Sequence, residues 1–117
     1  MSDDLPTRID IPQLIRNMGG NEKIIPKLLE TFWHSCNDCW QRMDAARKAN
    51  DLNTWQRTAH ELKGASLSIT ANRIAALCAK AEKLEQLDTA ESQEILSLLV
   101  KKFEFLREDL ERSKASA

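Results

Sequence analysis

The sequence predicts an all-α fold: an antiparallel up-down four-helix bundle with a short additional N-terminal helix. Strong helix formers (Ala, Leu, Glu, Lys, Gln, Arg) fill most of its 117 residues, and only three glycines and three prolines interrupt them. Apolar residues recur at spacings of three and four along several long segments. With 42% of its residues hydrophobic, a chain of this length can bury one core, so a single domain is the default.

Asp10 can cap a short helix through about Asn17, with Pro12 tolerated in the first turn and Gly19-Gly20 ending it. Asn21 then caps a long segment to about Ala49, whose stripe is Ile25, Leu28, Leu29, Phe32, Cys36, Cys39, Trp40 and Met43. The Asn50, Asp51, Asn53 cluster marks a turn, and a third helix is expected from about Asn53 through Ile69. A fourth, from about Asn72 to Leu87, presents Ile74, Leu77, Cys78, Ala81 and Leu84 on one face. A fifth follows Asp88-Thr89 and runs to about Arg112, with Ile95, Leu98, Leu99, Phe103, Leu106 and Leu110 as its stripe. Residues 1–9 and 113–117 are expected to be flexible flanks of a domain over 10–112. None of these helices can hide its stripe alone, and short connections favour antiparallel packing.

The third helix carries the chemistry. At about 100° per residue, Trp55, Ala59, Leu62, Ser66 and Ile69 fall on one side, which is expected to face the core. His60 falls on the other with Gln56, Lys63, Gly64 and Leu67, so its imidazole is expected to be displayed from the middle of a rigid helix. Gly64 stands out, because a helix-interior glycine costs about 1 kcal/mol relative to alanine. One turn beyond an exposed histidine, a missing side chain would let another protein approach the ring, and Lys63 could meet anionic oxygens there.

The run His60-Glu61-Leu62-Lys63-Gly64-Ala65-Ser66 resembles the HxLKGxS signature of histidine-containing phosphotransfer (HPt) domains. Ile9-Asp10, Leu14, Gly19-Gly20-Asn21 and the Leu28-Leu29 to Phe32 stretch are similar to the start of many such domains, and Ile74, Leu77 and Cys78 resemble their following helix. Thr70 departs from the pattern, standing where the family often has a second glycine.

The resemblance implies that His60 accepts a phosphoryl group from the aspartyl phosphate of a receiver domain and passes it to another receiver's aspartate. Glu82 falls where the family often has a Glu or Gln hydrogen-bonded to the active histidine, which makes it the candidate acceptor for the inner ring N–H. Lys63 is the candidate for stabilising charge on the transferring group. Gln56, Gly64, Ala65 and Leu67 are the candidate docking residues. The implied partners are response-regulator receiver domains or a hybrid sensor histidine kinase. No cofactor is expected in this chain, and any Mg²⁺ is expected in the receiver. No GxxxxGK[ST] loop or glycine-rich nucleotide site occurs, so phosphorylation from ATP is not expected.

Composition excludes other classes. Charged residues make up 30% of the chain but sum to −1, leaving no field to attract nucleic acid or anionic lipid. Apolar runs such as Ile95 to Val100 are too short to span a bilayer, and the acidic Met1 to Asp4 stretch is unlike a signal peptide. Three cysteines, an odd number, fit reduced thiols, so a cytoplasmic protein is expected; a monomer is expected as well. Cys36 and Cys39 have the CxxC form with His34 nearby, but no second ligand pair follows and both thiols lie on the apolar stripe, which favours core packing over metal. Trp40 and Trp55 are expected in the core and Trp33 at an edge. Two other functions compete: a noncatalytic helical adaptor, and a metal or cofactor bundle, which would need inward-facing ligands that the stripes lack.

Overall fold

Local caps start two of the helices and the turn before a third. In the computed structural model, which describes residues 9–116, Asp10 Oδ1 accepts from the Gln13 N–H at 3.0 Å and opens helix α1 (Ile11–Asn17). Asn21 Oδ1 accepts from the Lys23 N–H at 3.2 Å and opens a 3-10 turn, Glu22–Ile24. That turn feeds α2 (Ile25–Lys48), so the helix expected from Asn21 has a tighter first turn. Asp51 begins α3 (Leu52–Ser68), accepting from the Thr54 N–H at 3.1 Å and the Thr54 hydroxyl at 2.7 Å. Both hydrogen bonds hold the Asp51 carboxyl below its ordinary pKa.

Helix α4 (Asn72–Glu82) and α5 (Ala90–Ser116) complete the element order. The chain is all-helical among the described residues. Two helix ends differ from expectation. α4 stops at Glu82 rather than near Leu87, although Lys83 to Gln86 are helix formers, because groups on α3 take up its last carbonyls (below). α5 passes Arg112 to reach Ser116, since nothing from Ser113 to Ser116 breaks a helix. Residues 1–8 of the expected flexible start, and Ala117, lie outside the described residues. Ile9, the last of that start, is instead buried, with its N–H 3.4 Å from Asp109 Oδ2 on α5.

α2 packs against α3 and α5, α3 against α4, and α4 against α5, so the long helices meet in a closed cycle. Leu29, Met43, Trp55, Leu62, Ile74, Leu77, Leu99 and Leu106 are fully buried along its axis. The expected stripes are the ones buried, except that Leu28, Trp40, Leu84 and Leu98 are half-buried. Trp40 instead donates from Nε1 to the Leu96 carbonyl at 2.9 Å, tying α2 to α5. No described helix is long and apolar enough to cross a membrane.

The turn between α3 and α4 explains the position that departs from the family pattern. Thr70 has φ +65°, the left-handed conformation that glycine adopts at least cost. Its hydroxyl accepts from the Asp10 N–H at 2.9 Å, tying the start of α1 to this turn. Thr70 therefore makes the backbone turn a glycine would make and adds a bond that glycine could not.

Candidate functional site

α3 is held in place by one side and displays the other. Trp55, Ala59, Leu62 and Ser66 are completely buried, and Ser66 Oγ donates back to the Leu62 carbonyl at 2.7 Å. The opposite side carries His60, whose side chain is 71% exposed. Leu67 on the same side is 56% exposed. Gly64 is exposed too, and a Cβ built on it would meet nothing within 4 Å. The glycine is therefore not required by packing inside this chain. Ala65 is half-buried and packs against the core, so only its edge reaches this surface.

Three of the residues singled out from the sequence converge. His60 Nδ1 lies 3.1 Å from Glu82 Oε2, across the groove between α3 and α4. Lys63 Nζ lies 2.7 Å from the other oxygen, Glu82 Oε1. One carboxylate thus joins the ring to the ammonium one turn away. Because a carboxylate only accepts, Nδ1 is the donor, and the lone pair of the neutral ring lies on Nε2, which points away from this contact. The Lys63 ammonium first, and His60 second, hold the Glu82 carboxyl below its ordinary pKa against the opposing effect of burial. Glu82 therefore stays ionised at neutral pH.

Sequence reasoning missed how Glu82 is supported. It is the last residue of α4, where the orphan carbonyls gather and the negative end of the helix dipole disfavours a carboxylate. Two consecutive residues of α3 cap that end. Trp55 Nε1 donates to the Ala81 carbonyl at 2.8 Å, and Gln56 Nε2 donates to the Glu82 and Leu84 carbonyls at 3.2 and 3.1 Å. Gln56, a docking candidate in the sequence, thus turns its amide inward onto α4. Its place one turn before His60 was a visible signal; its target was not.

A second polar cluster, on α2 and α3, borders the histidine. Arg42 lies 2.5 Å from Glu61 and 3.0 Å from Asp38, and its Nη2 is 3.3 Å from Cys39 Sγ. Cys36, Cys39 and Cys78 are all free and buried. Burial pushes the Cys39 thiol up to about 11 and Cys78 up to about 12, and raises Cys36 as well. They are apolar core groups at neutral pH. His34 is exposed, set edge-on to the half-buried Trp33 at 5.3 Å between ring centroids. Among the described residues, no group of three or more His, Cys, Asp or Glu is arranged to hold a metal.

A family model, the Hpt domain, matches residues 27–116, from the first turn of α2 to the end of α5. The resemblance noted at Ile9-Asp10, Leu14 and Gly19-Gly20-Asn21 lies outside that span. Comparisons with curated proteins and with solved structures give no match. The match spans most of the chain and includes the displayed histidine, and on it the chain belongs to the Hpt domain family, whose members take part in histidine phosphotransfer within phosphorelays.

Proposed function

We propose that this protein carries a phosphoryl group on His60, accepting it from the aspartyl phosphate of one receiver domain and delivering it to the aspartate of another. The observation that carries this reading is an imidazole 71% exposed to solvent while its Nδ1 is tied to a carboxylate at 3.1 Å. The ring is then presented in the tautomer that can attack.

In the proposed step the Nε2 lone pair attacks phosphorus, the bond from phosphorus to the aspartyl oxygen breaks, and the receiver's carboxylate leaves with that electron pair. Nδ1 keeps its proton, so the phosphorylated ring is cationic, and ionised Glu82 stabilises it. Reversal onto a second carboxylate regenerates the neutral ring. Lys63, paired with Glu82 Oε1 and with its side chain 30% exposed, is proposed to neutralise the equatorial oxygens. The divalent cation belongs to the receiver.

The receiver, free or within a hybrid sensor kinase, is proposed to settle over Gly64 and Leu67, a bare backbone patch beside an exposed apolar side chain. α2 to α5 would serve as an antiparallel up-down four-helix scaffold, with α1 an added element, working as a monomer in the cytoplasm.

The test is incubation with a phosphorylated receiver. The expected product is an acid-labile, base-stable phosphoramidate on this chain that His60→Gln eliminates. Acid-stable label, or label on the mutant, would refute the assignment. An adaptor working by binding alone would instead retain its function in His60→Gln.

A further inference from the structure

We infer that Gln56 is a positioning residue for phosphotransfer: by capping the C-terminal end of α4 it fixes Glu82, and through Glu82 it selects the His60 tautomer that attacks. The inference rests on the proposed phosphotransfer at His60 and adds a component to it.

The geometry leaves Glu82 in need of such a tie. It ends α4, and the turns that follow contain no glycine to close the helix in the usual left-handed cap. The Lys83 and Leu84 N–H groups close 3-10-type bonds, to Lys80 and Ala81 at 3.2 Å each. A carboxylate on a fraying last residue would sample many positions. Gln56 takes the two carbonyls on either side of Lys83, those of Glu82 and Leu84, with one amide nitrogen. Both partners are acceptors, so only the nitrogen of that amide can face them.

The clamp also fixes register. Gln56 and His60 are one turn apart on the same side of α3, and the carbonyl that Gln56 holds belongs to the residue whose side chain meets His60. Backbone and side chain of Glu82 are thus both referred to α3, four residues apart. Trp55 secures the preceding carbonyl, but from inside the core. Gln56 is half-buried at the groove, so its amide can be altered without opening a cavity.

The test uses the full chain with Gln56→Met, which keeps the length of the side chain but has no donor, and Gln56→Asn, which keeps the amide but loses a methylene of reach. Transfer from a phosphorylated receiver is followed beside the nitrogen-15 signals of the unphosphorylated His60 ring. In the parent chain, those signals should report the Nδ1–H form. Both variants are expected to fold, to transfer roughly 10-fold more slowly, and to show His60 moving toward the mixture of tautomers of a free imidazole. A purely structural residue would lower the melting temperature and leave the ring signals alone. Unchanged ring signals in folded variants, whatever the rate, would overturn the inference, as would failure of both variants to fold. If the parent chain takes no phosphoryl group, the proposed function fails, while the ring signals still decide the clamp.

Discussion

The two sides of α3 obey different rules. On one, Trp55, Ala59, Leu62 and Ser66 have no solvent exposure, and every atom has a neighbour. On the other, His60 and Leu67 stand mostly in water and Gly64 has no side chain at all. The buried side fixes the helix, and this lets the exposed side be sparse: the nucleophile proposed there needs a defined position more than it needs many contacts. His60 is placed by packing on the far side of its own helix and by the Glu82 carboxylate beside it.

The contrast breaks most sharply under two substitutions five residues apart. His60→Gln should abolish phosphorylation while changing stability by no more than about 0.5 kcal/mol in urea unfolding, as expected for an exposed position. Trp55→Ala should instead destabilise the domain, costing about 3–5 kcal/mol in the same experiment. Its indole also caps Ala81, so the end of α4 should loosen before the rest of the domain, seen as faster amide exchange there. Comparable destabilisation by both substitutions would mean that the two sides are not divided in this way.

pH separates the sides next. The Glu82 carboxyl is held below its ordinary pKa, first by Lys63, so its contribution is complete above the ordinary carboxylate range and is lost only as pH falls through the lowered folded value. Lys63→Met removes the leading cause, and the Glu82 midpoint, followed by its side-chain carboxyl carbon shift, should move up. An unmoved midpoint would mean that the ion pair at 2.7 Å does not hold in solution.

Much of this was legible in the sequence. Spacing alone separates the two sides of α3, and Asp10 marks the start of α1 because an N-cap is a local device; the Asn50, Asp51, Asn53 cluster shows the turn before α3, but which of its members caps the helix comes from the structure. The end of α4 was not legible. Lys83 to Gln86 contain no breaker, so local propensity extends the helix toward Leu87; the stop comes from Trp55 and Gln56, which sit 26 positions earlier. A cap supplied from another helix leaves no mark in the sequence it caps. The same reasoning applies to Glu82, whose pairing with His60 came from family resemblance and whose ion pair with Lys63 spans two helices. Thr70 shows the converse: it departs from the sequence pattern, yet its backbone adopts the glycine-like conformation regardless.

Gly64 sharpens the comparison at smaller scale. Its backbone is ordinary helix and the space beside it is open, so Gly64→Ala should raise stability by about 1 kcal/mol, the full helix-propensity difference. Gly64→Gln should also fold, but slow transfer by crowding the approach to His60. A stabilised Gly64→Ala that transfers normally, beside a slow Gly64→Gln, would locate the requirement in clearance. If both transfer at the parent rate, the glycine is incidental to docking.

The smallest effect is expected at Thr70, where two terms oppose each other. A β-branched residue at φ +65° carries about 1–2 kcal/mol of backbone strain, and Thr70→Gly would relieve it. The same change gives up the bond from the Asp10 N–H and adds unfolded-chain entropy, each worth roughly 0.5–1 kcal/mol. The sum should fall within about 1 kcal/mol of zero. Thr70→Val keeps the strain and loses only the hydroxyl, so it should cost about 0.5–1 kcal/mol. The gap between the two variants in urea unfolding therefore isolates the backbone term. If Thr70→Val proves as stable as the parent chain, the hydroxyl is not what holds α1 to this turn.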